Sequence, residues 1–183
     1  MDHVWFSEQE SHLWIPKIKN IGTIHECSKI IKDRLFRFHL VNNVRGQTLP
    51  FAPEEIKIAN LNVQLIDIND ANLELNIFGD SEAIAKGKWK LGENIWTPTH
   101  ELDHSISTNI LGKAIYDTNK NSFVHFELVV IGNWKGKTEN NGRSLGPETG
   151  VIGIQYNLEE NTSSNKIAPA FIDMYNAGWV KHP

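Results

Sequence analysis

The amino-acid sequence predicts a single, mainly β domain, built as an antiparallel barrel-like sheet or a sandwich. Apolar and polar residues alternate in several segments, most clearly around Leu73, Leu75 and Ile77, which is the period of a half-buried strand. Clusters of turn-forming residues separate these segments, as at Asn69–Asn72 and Asp117–Ser122. Because such short connections are typical of antiparallel sheets, the pattern predicts about six or seven strands.

The 183 residues are expected to form one domain in four consecutive parts. An aromatic arm that includes Trp5 and Trp14 packs over the body, and a helix, the β domain and a polar linker with a tail follow. The tail is predicted to contain a short helix over Pro169–Asn176, because proline stands at its start and Gly178 beyond its end. The four parts cover residues 1–22, 23–36, 37–158 and 159–183.

The N-terminal helix is predicted from its capping residue and from the spacing of its apolar residues. Thr23 offers a side-chain oxygen to the amide groups of a first helical turn. Ile24, Cys27, Ile31 and Leu35 recur at helical intervals and define one apolar face. The sequence therefore predicts a helix that begins at Ile24 and buries this face.

The β domain is predicted as strands joined by tight turns. The apolar residues change from even-numbered to odd-numbered positions near Ala59-Asn60, which predicts a β-bulge there. Gly79-Asp80-Ser81 is interpreted as a turn between two strands. The expected strands cover Glu55–Ile68, Leu73–Ile77, Glu82–Leu91, a hairpin over 105–132, and Val151–Leu158.

The second strand of the hairpin has one wholly apolar face, which is expected to meet the core. This face carries Val124, Phe126, Leu128 and Val130. His125 and Glu127 then point outward or into a second packed layer. An imidazole beside a carboxylate can move protons, although a cross-strand salt bridge is the favoured interpretation.

Composition and charge exclude several classes of protein. The net charge of −4 gives no basic surface, so no nucleic-acid partner is expected. No stretch approaches the ~20 apolar residues of a membrane span, and the N-terminus lacks the pattern of a signal peptide. The single cysteine, Cys27, cannot form an internal disulfide. These features predict a soluble protein, with the cytoplasm slightly favoured, and leave the oligomeric state open.

His100-Glu101-Leu102-Asp103-His104 has the spelling of a zinc-peptidase motif. The motif binds metal only on a helix, because two histidines four residues apart on a strand are separated by about 13 Å. The β-branched and hydroxyl residues of Ser105–Ile110 disfavour a helix. We therefore expect a strand here and no metal or other cofactor. The alternative is a zinc-dependent hydrolase with His100 and His104 as ligands and Glu101 as general base.

A long polar loop over residues 132–150 is the best functional candidate by length. Its Gly132–Thr138 segment resembles a phosphate-binding loop but is one residue short, and the residues that follow cannot form a good helix. Nucleotide binding is therefore not expected.

The leading function is the binding of a small, partly apolar ligand in a barrel mouth or in a cleft under the 132–150 loop. No nucleophile or other catalytic residue stands out. A third hypothesis is a protein-interaction module that uses the aromatic arm around Trp5 and Trp14 as its contact surface. The predicted ligand contacts are Arg37, His39, Arg45, His125, Trp134 and Arg143.

Overall fold

The computed structural model describes residues 2–43, 50–87, 101–137, 148–160 and 162–169. Six antiparallel strands form one sheet, in which each strand pairs with its neighbours in sequence. Within these ranges the sheet is open, with β1 and β6 as its edges. The strands are β1 (Ile24–Glu26), β2 (Ile56–Asn69), β3 (Asn72–Gly87), β4 (Leu102–Asp117), β5 (Ser122–Gly136) and β6 (Thr149–Asn157).

The predicted mainly β, antiparallel domain is therefore confirmed, and so are its two tightest turns. Asp70 and Ala71 alone separate β2 from β3, and Thr118–Asn121 connect β4 to β5. Asp70 and Asn121 have positive φ angles of 50° and 54°. Short polar side chains tolerate this left-handed conformation better than most residues, which explains why Asp and Asn occupy both turns.

The turn predicted at Gly79-Asp80-Ser81 is wrong, because β3 continues through it without a break. Gly79 lies opposite Leu61 on one side and Ile110 on the other. A Cβ atom on Gly79 would lie 2.1 Å from the carbonyl oxygen of Asn60. The glycine is thus required by close approach of β2 and β3 and not by a change of direction.

Two details of strand register also differ from the sequence predictions. The register of β2 shifts between Ile56 and Ile58, just before the predicted bulge at Ala59-Asn60, and again between Leu65 and Asp67. In β5 an irregularity places His125 opposite Ile115, and Val124 is 43% exposed instead of buried. The predicted apolar face therefore holds for Phe126, Leu128 and Val130 only.

The helical part begins later than predicted. Residues Ile24–Glu26 form edge strand β1, and Ser28 caps helix α2 (Lys29–Asp33) by accepting a hydrogen bond from the amide of Ile31. A π-helical turn, Arg34–His39, extends α2. Thr23 loses its predicted role because the chain around it joins the edge of the sheet, where its carbonyl accepts from the Leu65 amide. A shorter helix, α1 (Glu8–Ser11), precedes this part.

Two apolar clusters fill the inner face of the sheet, which is the face that packs against the helices. The larger joins the arm and α2 to β2–β5, with Trp14, Ile31 and Leu35 all buried. The smaller joins Val41 and Phe51 to the opposite end of the strands, around Ile106 and Trp134. The predicted arm is therefore part of the core. The C-terminal helix predicted over Pro169–Asn176 lies almost entirely outside the described residues.

We expect Gly79→Ala to lower the free energy of unfolding by about 1–3 kcal/mol. The added methyl group would clash with the backbone of Asn60, which cannot shift without displacing the rest of β2. Gly87→Ala is the matched control in the same strand, since nothing lies within 4 Å of its Cβ position. Urea denaturation should show the midpoint falling for Gly79→Ala and staying near the wild-type value for Gly87→Ala. Equal midpoints for the two variants would contradict the close approach of β2 and β3.

Candidate functional site

The predicted ligand contacts do not converge on one pocket. His125 and Trp134 lie on opposite faces of β5, with His125 outside and Trp134 within the smaller core cluster. Arg37 and His39 belong to the π-helical turn. Arg45 and Arg143 lie outside the described residues.

Arg37 has a structural role, because it binds the backbone near residue 50, where the second described segment begins. Its Nε donates a hydrogen bond of 2.9 Å to the carbonyl of Phe51, and its guanidinium lies 4.9 Å from the ring centre of Phe38. The sequence suggested that Arg37 and His39 would share a face if this stretch were extended. The stretch is helical, so they do not.

His39 ties three parts of the chain together. Its Nδ1 lies 2.9 Å from a carboxylate oxygen of Asp2, and its carbonyl accepts a hydrogen bond of 3.0 Å from the hydroxyl of Tyr156. Its side chain is 1% exposed. Burial lowers the pKa of His39, and the hydrogen bond and charge of Asp2 oppose this effect. These contacts link the N-terminus, the helical turn and β6, so His39 is not available to a ligand.

Arg34 is a buried charged residue that the sequence analysis did not single out. Its guanidinium donates to the carbonyl of Trp5 at 2.5 Å and forms a 2.8 Å ion pair with Glu10. It also lies 5.5 Å from the ring centre of Phe6. The side chain of Trp14 is 2% exposed in the core, so Arg34 and Trp14 together fix the arm as an integral part of the domain. No local pattern marks Arg34, because its partners are 24 and 29 residues away.

The HExxH-like segment enters a strand, as its composition predicted. Leu102, Asp103 and His104 are the first three residues of β4, while Glu101 precedes the strand and is exposed. His100 lies outside the described residues. Among the side chains that the structure describes, no group of three or more His, Cys, Asp or Glu residues is arranged to hold a metal ion.

His104 is a core residue in this structure. It is 8% exposed, and its ring stacks on that of Phe51 with centres 4.9 Å apart and planes at 13°. Burial lowers the pKa of His104 to about 4. The imidazole is therefore neutral at pH 7, where it behaves as a flat, largely apolar packing group.

A polar depression lies on the outer face, where β4, β5 and β6 run side by side. This surface, which we call the β4–β6 depression, has a volume of about 410 Å³. Lys135 and Asn133 of β5 lie between serines of β4 and residues of β6, in two adjacent cross-strand rows. The lining residues are Ser105, Ser107, Asn133, Trp134, Lys135, Thr149, Gly150 and Val151.

The depression stands at the base of the predicted 132–150 loop. β5 continues to Gly136 and β6 starts at Thr149, so strands occupy both ends of the predicted loop, and residues 138–147 lie outside the described part. Of the predicted contacts that the structure describes, only Trp134 lines this surface. His125 lines a smaller depression of about 240 Å³ beside Glu159 and Glu160. No helix in the described ranges is long and apolar enough to span a membrane.

Stability should depend on pH through His104. Its pKa is about 4 in the folded chain and about 6.5 when unfolded, so only the unfolded chain gains a proton between these values. The stabilisation that the neutral His104 gives to the folded chain is fully present above pH 6.5 and is lost as the pH falls to 4. Over this range the free energy of unfolding falls by about 3 kcal/mol.

We expect His104→Phe, which keeps an aromatic ring against Phe51, to flatten the fall in unfolding free energy between pH 6.5 and 4. Phe51→Leu is the control, because it removes the stacked ring and keeps the titrating imidazole. Urea denaturation at intervals of half a pH unit would measure both. An unchanged slope in His104→Phe would show that another group carries the dependence.

Comparison with known proteins adds no relative to this description. No protein-family model, curated protein or solved structure matches the chain.

Proposed function

We propose that the protein binds a small, partly apolar ligand with an anionic group in the β4–β6 depression. The observation that carries this proposal is the position of Lys135 among hydroxyl and amide side chains that face the same way. No carboxylate of the described residues forms an ion pair with Lys135, so its ammonium group is open to an anion from solution.

The strand register explains how the polar groups come together. Lys135 lies directly between Ser105 of β4 and Thr149 of β6. One row along the sheet, Asn133 lies between Ser107 and Val151. Neighbouring strands are about 4.8 Å apart, so an anion of two or three heavy atoms reaches the ammonium and a hydroxyl group of the same row.

The exposed side chain of Val151, in the same depression, supports an apolar component of the ligand. Val151 is 74% exposed, although its side chain is entirely apolar. The indole of Trp134 packs against Gly150 on the opposite, inner face, so Val151 provides the apolar contact on the outer face. A small apolar group placed on Val151 would remain within reach of Lys135. This combination fits aromatic carboxylates and phosphates better than fully polar anions.

Titration of isotopically labelled protein with benzoate and with phenyl phosphate tests the proposal. We expect amide shifts at 105–107, 133–135 and 149–151, and no comparable shifts with benzyl alcohol, which lacks the charge. Lys135→Ala should weaken binding by about 10- to 100-fold, as expected for a hydrogen bond to a charged group.

Lys113→Ala is the matched control, because it removes one lysine from the same outer face of β4 but outside the depression. It should leave the affinity unchanged at moderate salt. Equal losses for the two lysine variants would indicate a general charge effect, and shifts scattered over the sheet would contradict a site in the depression.

A further inference from the structure

The outer edge of β6 is a row of backbone groups that no other described residue covers. The amide of Gly136 donates to the carbonyl of Glu148 at 2.7 Å, and that of Leu158 donates to Phe126 at 2.9 Å. Since backbone groups of successive residues point to alternate sides of a strand, the even-numbered residues of β6 bond to β5. The odd-numbered residues 149, 151, 153, 155 and 157 therefore direct their N–H and C=O groups to the free side.

This edge lacks the features by which sheets avoid pairing with other chains. β6 is nine residues long and has no charged residue, no proline and no register shift against β5. The other edge differs, since β1 has only three residues and ends at Glu26, which forms an ion pair with Lys32. An uncharged, regular edge of this length is a ready template for another strand.

We infer that β6 pairs antiparallel with β6 of a second copy of this chain, about a two-fold axis at Gly153. In this register residue 153 faces its own copy, 151 faces 155 and 149 faces 157. Every free N–H and C=O group then meets a partner, which gives about ten hydrogen bonds between the copies. Other symmetric registers pair fewer residues of the strand.

Side chains on both faces agree with this pairing. On the inner face, Ile152 of one copy would lie opposite Ile154 of the other, which is a favourable pair of β-branched residues. On the outer face, the site at the axis is glycine, and nothing lies within 4 Å of its Cβ position. No bulky side chain therefore separates the two strands at the axis.

The charges beside β6 are also complementary across the axis. In β5, Lys135 lies next to Thr149, and Glu127 lies next to Asn157. Because 149 of one copy faces 157 of the other, Lys135 and Glu127 of different copies share a cross-strand row. Opposite charges thus lie at the two ends of the same row, about 14 Å apart, on both sides of the axis. β6 itself has no charged residue and so brings no like charges together.

Cysteine cross-linking tests the register directly. Facing residues of a hydrogen-bonded antiparallel pair have Cα atoms about 5.5 Å apart, within the range of a disulfide. We expect Gly153→Cys to form a covalent dimer under mild oxidation. Val151→Cys is the matched control, because each copy of residue 151 lies about 13 Å along the strand from the other and should not cross-link.

Background oxidation should be low. The native thiol, Cys27, is 2% exposed, and burial raises its pKa to about 12. Equal cross-linking of the two variants would refute the register, and failure of both would refute the pairing of β6.

A charge-pair experiment tests the same axis without a covalent bond. Gly153→Lys and Gly153→Glu each place like charges face to face, and each should weaken dimerisation by about tenfold or more in sedimentation equilibrium. A mixture of the two variants should recover the dimer, because unlike charges then meet. A monomeric wild type at high concentration, or dimers unaffected by either variant, would overturn the inference. Anion binding in the β4–β6 depression is measured separately and is not required for it.

Discussion

Burial of the helical part against the inner face of the sheet is the interaction on which the rest of the structure depends. Ile31, Leu35 and Phe36 are each at most 3% exposed, and they meet the apolar side chains of β2–β5. The inner face of the sheet is apolar and must be covered, and in the described part of the chain the helices and the arm supply the apolar surface that covers its larger cluster. The close backbone contact at Gly79 holds β2 and β3 in the position that this packing requires.

This packing also decides where a ligand can bind. A closed barrel of this size can enclose a small molecule, but here aromatic and aliphatic side chains occupy the inner face from Trp14 to Trp134. Ser81 and Thr108, both buried on that face, hydrogen-bond each other at 2.7 Å and so satisfy their own hydroxyl groups. The ligand site that we propose therefore lies on the outer face, beside Lys135.

The sequence contained much of the fold and little of the site. Alternation with a period of two predicts the strands because it follows directly from backbone geometry, and Asp70 and Asn121 identify their turns for a similarly local reason. Gly79, Thr23 and Val124 were misread because long-range strand contacts decide their conformation. The depression was not predictable residue by residue, because Ser105, Lys135 and Thr149 come together only through strand register.

The attachment of the arm has a consequence for biosynthesis. Trp14 packs edge-on against Phe126, at 5.2 Å between ring centres, and Asn121 donates a hydrogen bond to Glu8 across 113 residues of chain. The arm is synthesised before β5, so its Trp14 indole can reach its native partner Phe126 only after β5 has been made. Contacts of such high sequence separation generally slow folding, because the loop between the partners must close before they can form.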